Sequence, residues 1–97
     1  MTSEAPVLRY RSKGCIFADI LRAIQEGGKV KITHILYKAN LSHDRLTKYL
    51  DQLKEAGLVE TTLEEDKTAY AITPKGDKFL MEFRRMEEFA DAFGLEI

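Results

Sequence analysis

Cysteine, proline and tryptophan are all scarce in this chain: one cysteine, two prolines and no tryptophan in 97 residues. A single cysteine, Cys15, excludes an intrachain disulfide and suits a reducing compartment. It lies off the apolar stripe of its helix and reads as an inert thiol. A zinc site needs about four ligands in close register. Cys15, His34 and His43 are far apart and follow no ligand spacing, so each histidine reads as a structural or surface residue. No glycine-rich loop has phosphate-cradling spacing, and Glu26-Gly27-Gly28-Lys29 reads as a helix stop. No serine or cysteine stands in a nucleophile setting. The carboxylates are plentiful but fall on helix faces and at a hairpin tip, where they are solvated. The expectation is therefore no enzyme, no metal and no cofactor. No apolar run approaches the ~20 residues of a membrane span. Met-Thr-Ser-Glu-Ala-Pro at the N-terminus has neither the charged nor the apolar region of a secretion signal, which makes the cytoplasm the expected location.

What the chain does have is a strongly punctuated segment between Lys38 and Glu60. Ser42 stands at an N-cap position. Leu41 before it and Leu46 after it are the two halves of a hydrophobic staple. Leu46, Tyr49, Leu50 and Leu53 recur at three and four, the spacing of one helical face. Gly57 supplies the left-handed C′ position, and Leu58 at C″ can fold back onto Leu53 at C3. A helix over about 42–56 follows. Opposite its stripe stand Asp44, Lys48, Asp51 and Glu55. Arg45 and Gln52 lie on one shoulder, and His43, Thr47 and Lys54 on the other.

The rest of the chain supplies partners for that helix. Residues 1–12 read as a flexible arm, made basic by Arg9 and Arg11, with Lys13 just after it; such an arm can follow a phosphate backbone or enter a minor groove. A first helix spans about Lys13 to Glu26, with Ile16, Phe17, Ile20 and Ile24 as its stripe. Lys29-Val30-Lys31 is short enough for a single β-bridge. A second helix runs from Thr33, its expected cap, to Ala39. Asn40-Leu41 makes a tight turn, which gives a helix-turn-helix. Leu58–Leu63 and Thr68–Thr73 read as two strands around a polar turn, Glu64-Glu65-Asp66-Lys67. Thr73 then caps a fourth helix with Pro74 at N1, and Gly94 stops it after Phe93. Phe79, Phe83, Met86, Ala90 and Phe93 follow a heptad seam, widened by Leu80 and Phe89. Twenty helical residues are ~30 Å long. A three-helix core cannot cover that length, so the same helix of a second chain is the expected partner.

Charge is uneven along the chain although the net charge is only −1. Residues 1–41 carry +4, residues 42–56 balance, and residues 57–97 carry −5. A basic front and an acidic back could orient the molecule on DNA, because local patches matter more than the total. The acidic hairpin tip would repel phosphates, leaving Lys67 as its one attractive group.

Leu41-Ser42, Leu46-Thr47-Lys48, Leu50, Leu53 and Gly57-Leu58-Val59, with Thr73-Pro74-Lys75-Gly76 and Phe79-Leu80 after the hairpin, resemble the pattern of winged-helix transcription regulators. Tyr37-Lys38-Ala39-Asn40-Leu41 and Leu46-Thr47-Lys48-Tyr49-Leu50 look like the signature of a small archaeal winged-helix DNA-binding family that dimerises through a C-terminal antiparallel coiled coil. The resemblance covers roughly residues 14–90. It implies a mainly α fold with a small β-hairpin: a winged helix-turn-helix over residues 13–73 and an extended dimerisation helix over 74–97. It implies a homodimer that binds double-stranded DNA with the third helix in the major groove. Ser42, His43, Arg45, Thr47 and Lys48 would be the DNA-contacting residues, joined by Arg9, Arg11 and Lys67. Phe79, Phe83, Met86, Phe89, Ala90 and Phe93 would form the dimer interface. The near-neutral charge points to a site-selective regulator more than to a chromatin coat. The acidic wing and phenylalanine-rich last helix keep open a protein-interaction module that never touches DNA. A small-molecule effector is left unknown; with no dedicated ligand domain, one would have to use the dimer interface.

Overall fold

The computed structural model describes residues 12–95. In chain order its elements are α1 (Lys13–Gly27), β1 (Lys29–Lys31), α2 (Ile32–Ala39), α3 (His43–Glu55), β2 (Val59–Glu64), β3 (Lys67–Ile72) and α4 (Pro74–Ala92). The basic arm expected over residues 1–12, with Arg9 and Arg11, lies outside the described residues apart from Ser12.

Four helices pack around a three-stranded antiparallel sheet of order β1-β3-β2. Lys29-Val30-Lys31 is a three-residue strand rather than a single bridge, with Val30 opposite Tyr70. It feeds straight into α2, which starts at Ile32. Thr33 is therefore not a cap, and Lys31 in that position makes no side-chain cap bond. Asn40 closes α2 in the left-handed conformation at φ 56°, which asparagine tolerates better than most residues. The core gathers Ile16, Ile20, Leu21 and Ile24 of α1, Ile35 and Ala39 of α2, and Leu46, Leu50 and Leu53 of α3. Val30, Leu58 and Val59 add the sheet side, and Leu80 and Phe83 add α4.

The hairpin turn is tighter than the four polar residues suggest. Glu64 and Lys67 face each other as the last rung of the ladder. Only Glu65 and Asp66 turn, both with positive φ, 53° and 65°. Two successive positive φ values are the mark of a type I′ turn, whose twist matches that of the strands.

Two junctions fix the frame around α3. At its end the Leu58 N–H bonds the Leu53 carbonyl at 2.9 Å, and the Gly57 N–H bonds the Lys54 carbonyl at 3.0 Å. Gly57 holds φ 81°, so the expected Schellman stop is formed. At the start of α4, the Thr73 hydroxyl accepts from the Gly76 N–H at 3.0 Å and donates to the Gly57 carbonyl at 2.6 Å. Lys75 donates to the Ala56 carbonyl at 2.8 Å. Gly76 sits so close to the chain that a Cβ would collide with the Leu58 carbonyl. The first turn of α4 is thus pinned to the last turn of α3.

Candidate nucleic-acid interface

The N-terminal half of α3 presents an exposed polar face on a buried leucine support. Ser42 accepts the Arg45 backbone N–H at 3.3 Å, which closes the first turn. Beneath it Leu46, Leu50 and Leu53 are buried at 0, 2 and 1 % exposure, which fixes the rotation of the helix. His43, Asp44, Arg45, Thr47 and Lys48 consequently face outward. Their polar groups are not equally free. The Thr47 hydroxyl donates back to the His43 carbonyl at 2.8 Å, so its proton is already used. The Ser42 hydroxyl is engaged as the cap. Asp44 in the first turn suits the helix dipole, yet it opposes an incoming phosphate.

Arg45 is braced. Its Nη2 donates to the Tyr49 hydroxyl at 3.4 Å, and its guanidinium carbon lies 5.8 Å from the centre of the Tyr49 ring. Tyr49 in turn meets Phe17 of α1 edge to face, with centroids 5.5 Å apart and planes at 89°. Lys13, the first residue of α1, places its Nζ 5.8 Å from the Phe17 centroid. The hydrogen bond from Arg45 draws the Tyr49 hydroxyl pKa below its ordinary value against the opposing effect of desolvation, with the nearby charges of Arg45, Lys13 and Lys48 adding to the fall. Sequence reasoning put Tyr49 on the core stripe and Lys13 beside the loose arm. It missed their connection because the Phe17–Tyr49 contact spans two helices.

Lys67, the remaining expected DNA contact, stands away from α3. It lines a cleft of about 360 Å³ with Lys31, Ile32, Thr33, Thr68 and Tyr70. Near the wing tip Lys29 pairs with Glu64 at 3.3 Å, while Glu65 and Asp66 are exposed. Among the described residues no group of His, Cys, Asp and Glu could hold a metal ion.

The expected seam on α4 is split. Phe83 is only 7 % exposed and its ring lies over Gly14 of α1. It belongs to the protomer's own core because α4 crosses α1 at that point, and this corrects its place on an open seam. Phe79 is half-buried and stacks on Phe83 with centroids 5.9 Å apart. Ala90 is buried as well. Met86, Phe89 and Phe93 are 45, 66 and 66 % exposed, and the Phe89 and Phe93 rings lie 5.0 Å apart.

The sequence matches the winged helix-turn-helix family over residues 10–91. The chain belongs to that family. Among solved structures it is similar to Sso10a-2, a DNA-binding protein from Sulfolobus solfataricus, at 30 % identity and a TM-score of 0.78, covering 86 % of this chain and 85 % of that one. The transcriptional regulator BldR from the same organism superposes with a TM-score of 0.66 at 21 % identity, over 79 % of this winged helix and 60 % of BldR. A MarR family protein from Bacillus stearothermophilus gives a TM-score of 0.67 at 21 % identity, over 88 % of this chain and 61 % of that one. Those two likenesses carry the fold alone. A comparison with curated proteins gives no match. The expected architecture of three-helix core, hairpin wing and long last helix is thus that of the winged helix-turn-helix family, and Sso10a-2, itself a DNA-binding protein, is similar to it in structure. No helix among the described residues is long and apolar enough to cross a membrane.

Proposed function

We propose that this winged helix binds double-stranded DNA in a sequence-selective way as a homodimer, and acts as a transcriptional regulator. The observation that carries the reading is the exposed N-terminal half of α3, where His43, Arg45 and Lys48 project from a buried leucine stripe. A helix that is locked from below and polar outside can enter a major groove without deforming. Its likeness to Sso10a-2, a DNA-binding protein, supports the same reading. Two copies joined through the Met86, Phe89 and Phe93 face would present two α3 helices to half-sites about 34 Å apart, or a multiple of it.

The test is fluorescence anisotropy of a labelled duplex library against the purified chain over a salt series, with sedimentation in parallel. Saturable binding that weakens steeply with salt and a dimer at micromolar concentration are the expected results. The acidic wing, with Glu65 and Asp66 exposed, favours one other reading, a protein-interaction module. Absence of duplex binding even at low salt would select it.

A further inference from the structure

The ladder Lys13–Phe17–Tyr49–Arg45 joins the N-terminus of α1 to the recognition face of α3, and it divides that face into two roles. We propose that Lys13 and Arg45 form a phosphate clamp, in which both cations grip the DNA backbone beside the groove and Arg45 reads no base. This rests on the DNA-binding reading above and extends its surface onto α1.

The geometry separates Arg45 from its neighbours. A guanidinium that reads guanine must offer its fork, free and in plane, to the base edge. That of Arg45 is turned along its own helix, with one N–H spent on the Tyr49 hydroxyl at 3.4 Å and its face near the Tyr49 ring. The brace holds it against Tyr49, which meets Phe17 of α1; with α3 in a groove, that side of the helix would be the shoulder where a phosphate passes. A phosphate asks only for positive charge and a donor or two, which the remaining guanidinium N–H groups supply. Lys13 occupies the matching place on α1. Ser12 caps that helix by accepting the Cys15 N–H at 3.1 Å, so Lys13 is held at the first helical position, and its side chain is exposed. Its ammonium lies 5.8 Å from Phe17, whose ring meets Tyr49 edge to face. The aromatic pair between the cations fixes their relative place, because Phe17 and Tyr49 both pack on the core. The lowered Tyr49 hydroxyl pKa marks the same neighbourhood, since Lys13, Arg45 and Lys48 all contribute to it. Base reading is left to His43 and Lys48, which are exposed and carry no braced contact of this kind.

The experiment uses the full chain and two labelled duplexes of equal length, one selected from a random library by the wild-type protein and one scrambled. Each is titrated over a salt series with wild type, Lys13→Ala, Arg45→Ala, Lys13→Arg and Arg45→Lys. Each alanine variant should lower the salt slope by about one unit per bound chain. It should weaken both duplexes by the same factor, roughly tenfold, and leave their affinity ratio unchanged. The charge-preserving variants should restore the slope. A fall in the selected-to-scrambled ratio for Arg45→Ala would make Arg45 a base reader and overturn the clamp while DNA binding stands. An unchanged slope for Lys13→Ala would remove α1 from the interface, again with DNA binding intact. Failure of the wild type to bind either duplex would remove both the clamp and the reading beneath it. A thermal melt of each variant matching wild type is expected, since both side chains are exposed.

Discussion

The two halves of α4 share one helix and one apolar repeat, yet they stand in opposite environments. From Thr73 to Phe83 the helix is capped, pinned to α3 and sunk into the core. From Met86 onward it carries large apolar side chains in the open around a buried Ala90, with Phe89 and the C-cap Phe93 each 66 % exposed and Leu95, just past the helix, 60 % exposed. A heptad spacing alone does not say what covers it. The same four-three rhythm serves a neighbour in the chain at one end and leaves a surface for another molecule at the other. A patch of contiguous large apolar groups is costly in a solitary chain, which is why the distal half is the place to look for a second copy.

The sharpest way to break this contrast is to remove Phe83. Truncating a buried phenylalanine costs about 3–5 kcal/mol, and Phe83→Ala should lose that much in denaturant unfolding. A loss below about 1 kcal/mol would mean that the proximal half is not core at all. Phe83→Glu is a poor probe of dimerisation for the same reason, since it would bury a charge in the protomer.

Phe89→Glu probes the other half. On the proposed dimer it should weaken self-association by at least about 2 kcal/mol, the scale of an aromatic hot spot, read by sedimentation. The unfolding free energy of the resulting monomer should stay within about 0.5 kcal/mol of wild type, as for other exposed positions. An unchanged dimer would locate the interface elsewhere, and an unfolded monomer would show that Phe89 packs within its own chain.

How much of this was legible in the sequence depended on the range of the interaction. The α3 helix was readable because its start, face and stop are local: Ser42 bonds three residues on, and Leu58 folds back five residues to Leu53. The α4 cap at Thr73 was readable for the same reason. The hairpin was recognisable, but its turn length was not, because Glu65 is a poor residue for the positive φ it adopts and Asp66 stands where a type I′ turn favours glycine. The division of the α4 seam at Phe83 and the ladder from Lys13 to Arg45 depend on contacts with α1 more than thirty positions away in the chain. Side-chain type and spacing carry no record of such contacts. For the expected interface residues, the sequence named the exposed polar set on α3 without separating the engaged Ser42, Arg45 and Thr47 from His43 and Lys48.

Thr73→Ala tests the pin that makes the proximal half rigid. The hydroxyl makes two bonds, accepting from the Gly76 N–H and donating to the Gly57 carbonyl. Loss of an N-cap side chain costs about 0.5–2 kcal/mol, and the second bond should place Thr73→Ala at the upper end. Thr73→Ser keeps both groups and should recover most of the loss. If alanine and serine behave alike, the hydroxyl does not hold α4 to α3.

The smallest effect should come at the start of the distal half. Arg22 of α1 reaches Glu87 at 3.1 Å and Asp19 at 3.2 Å. Arg22 and Glu87 side chains are 40 and 38 % exposed, so water and salt screen the pair, and such pairs are worth about 0.2–1 kcal/mol. Glu87→Gln keeps the shape of the side chain and removes its charge. It should cost less than about 1 kcal/mol at low salt and close to nothing at about 1 M salt, where screening is complete over a few ångströms. Arg22 retains Asp19 as a partner in that variant, which lowers the cost further. A larger, salt-independent loss would mean that the Glu87 contact holds the distal half in place. The boundary between a fixed and an open α4 would then lie beyond Glu87 rather than at Phe83.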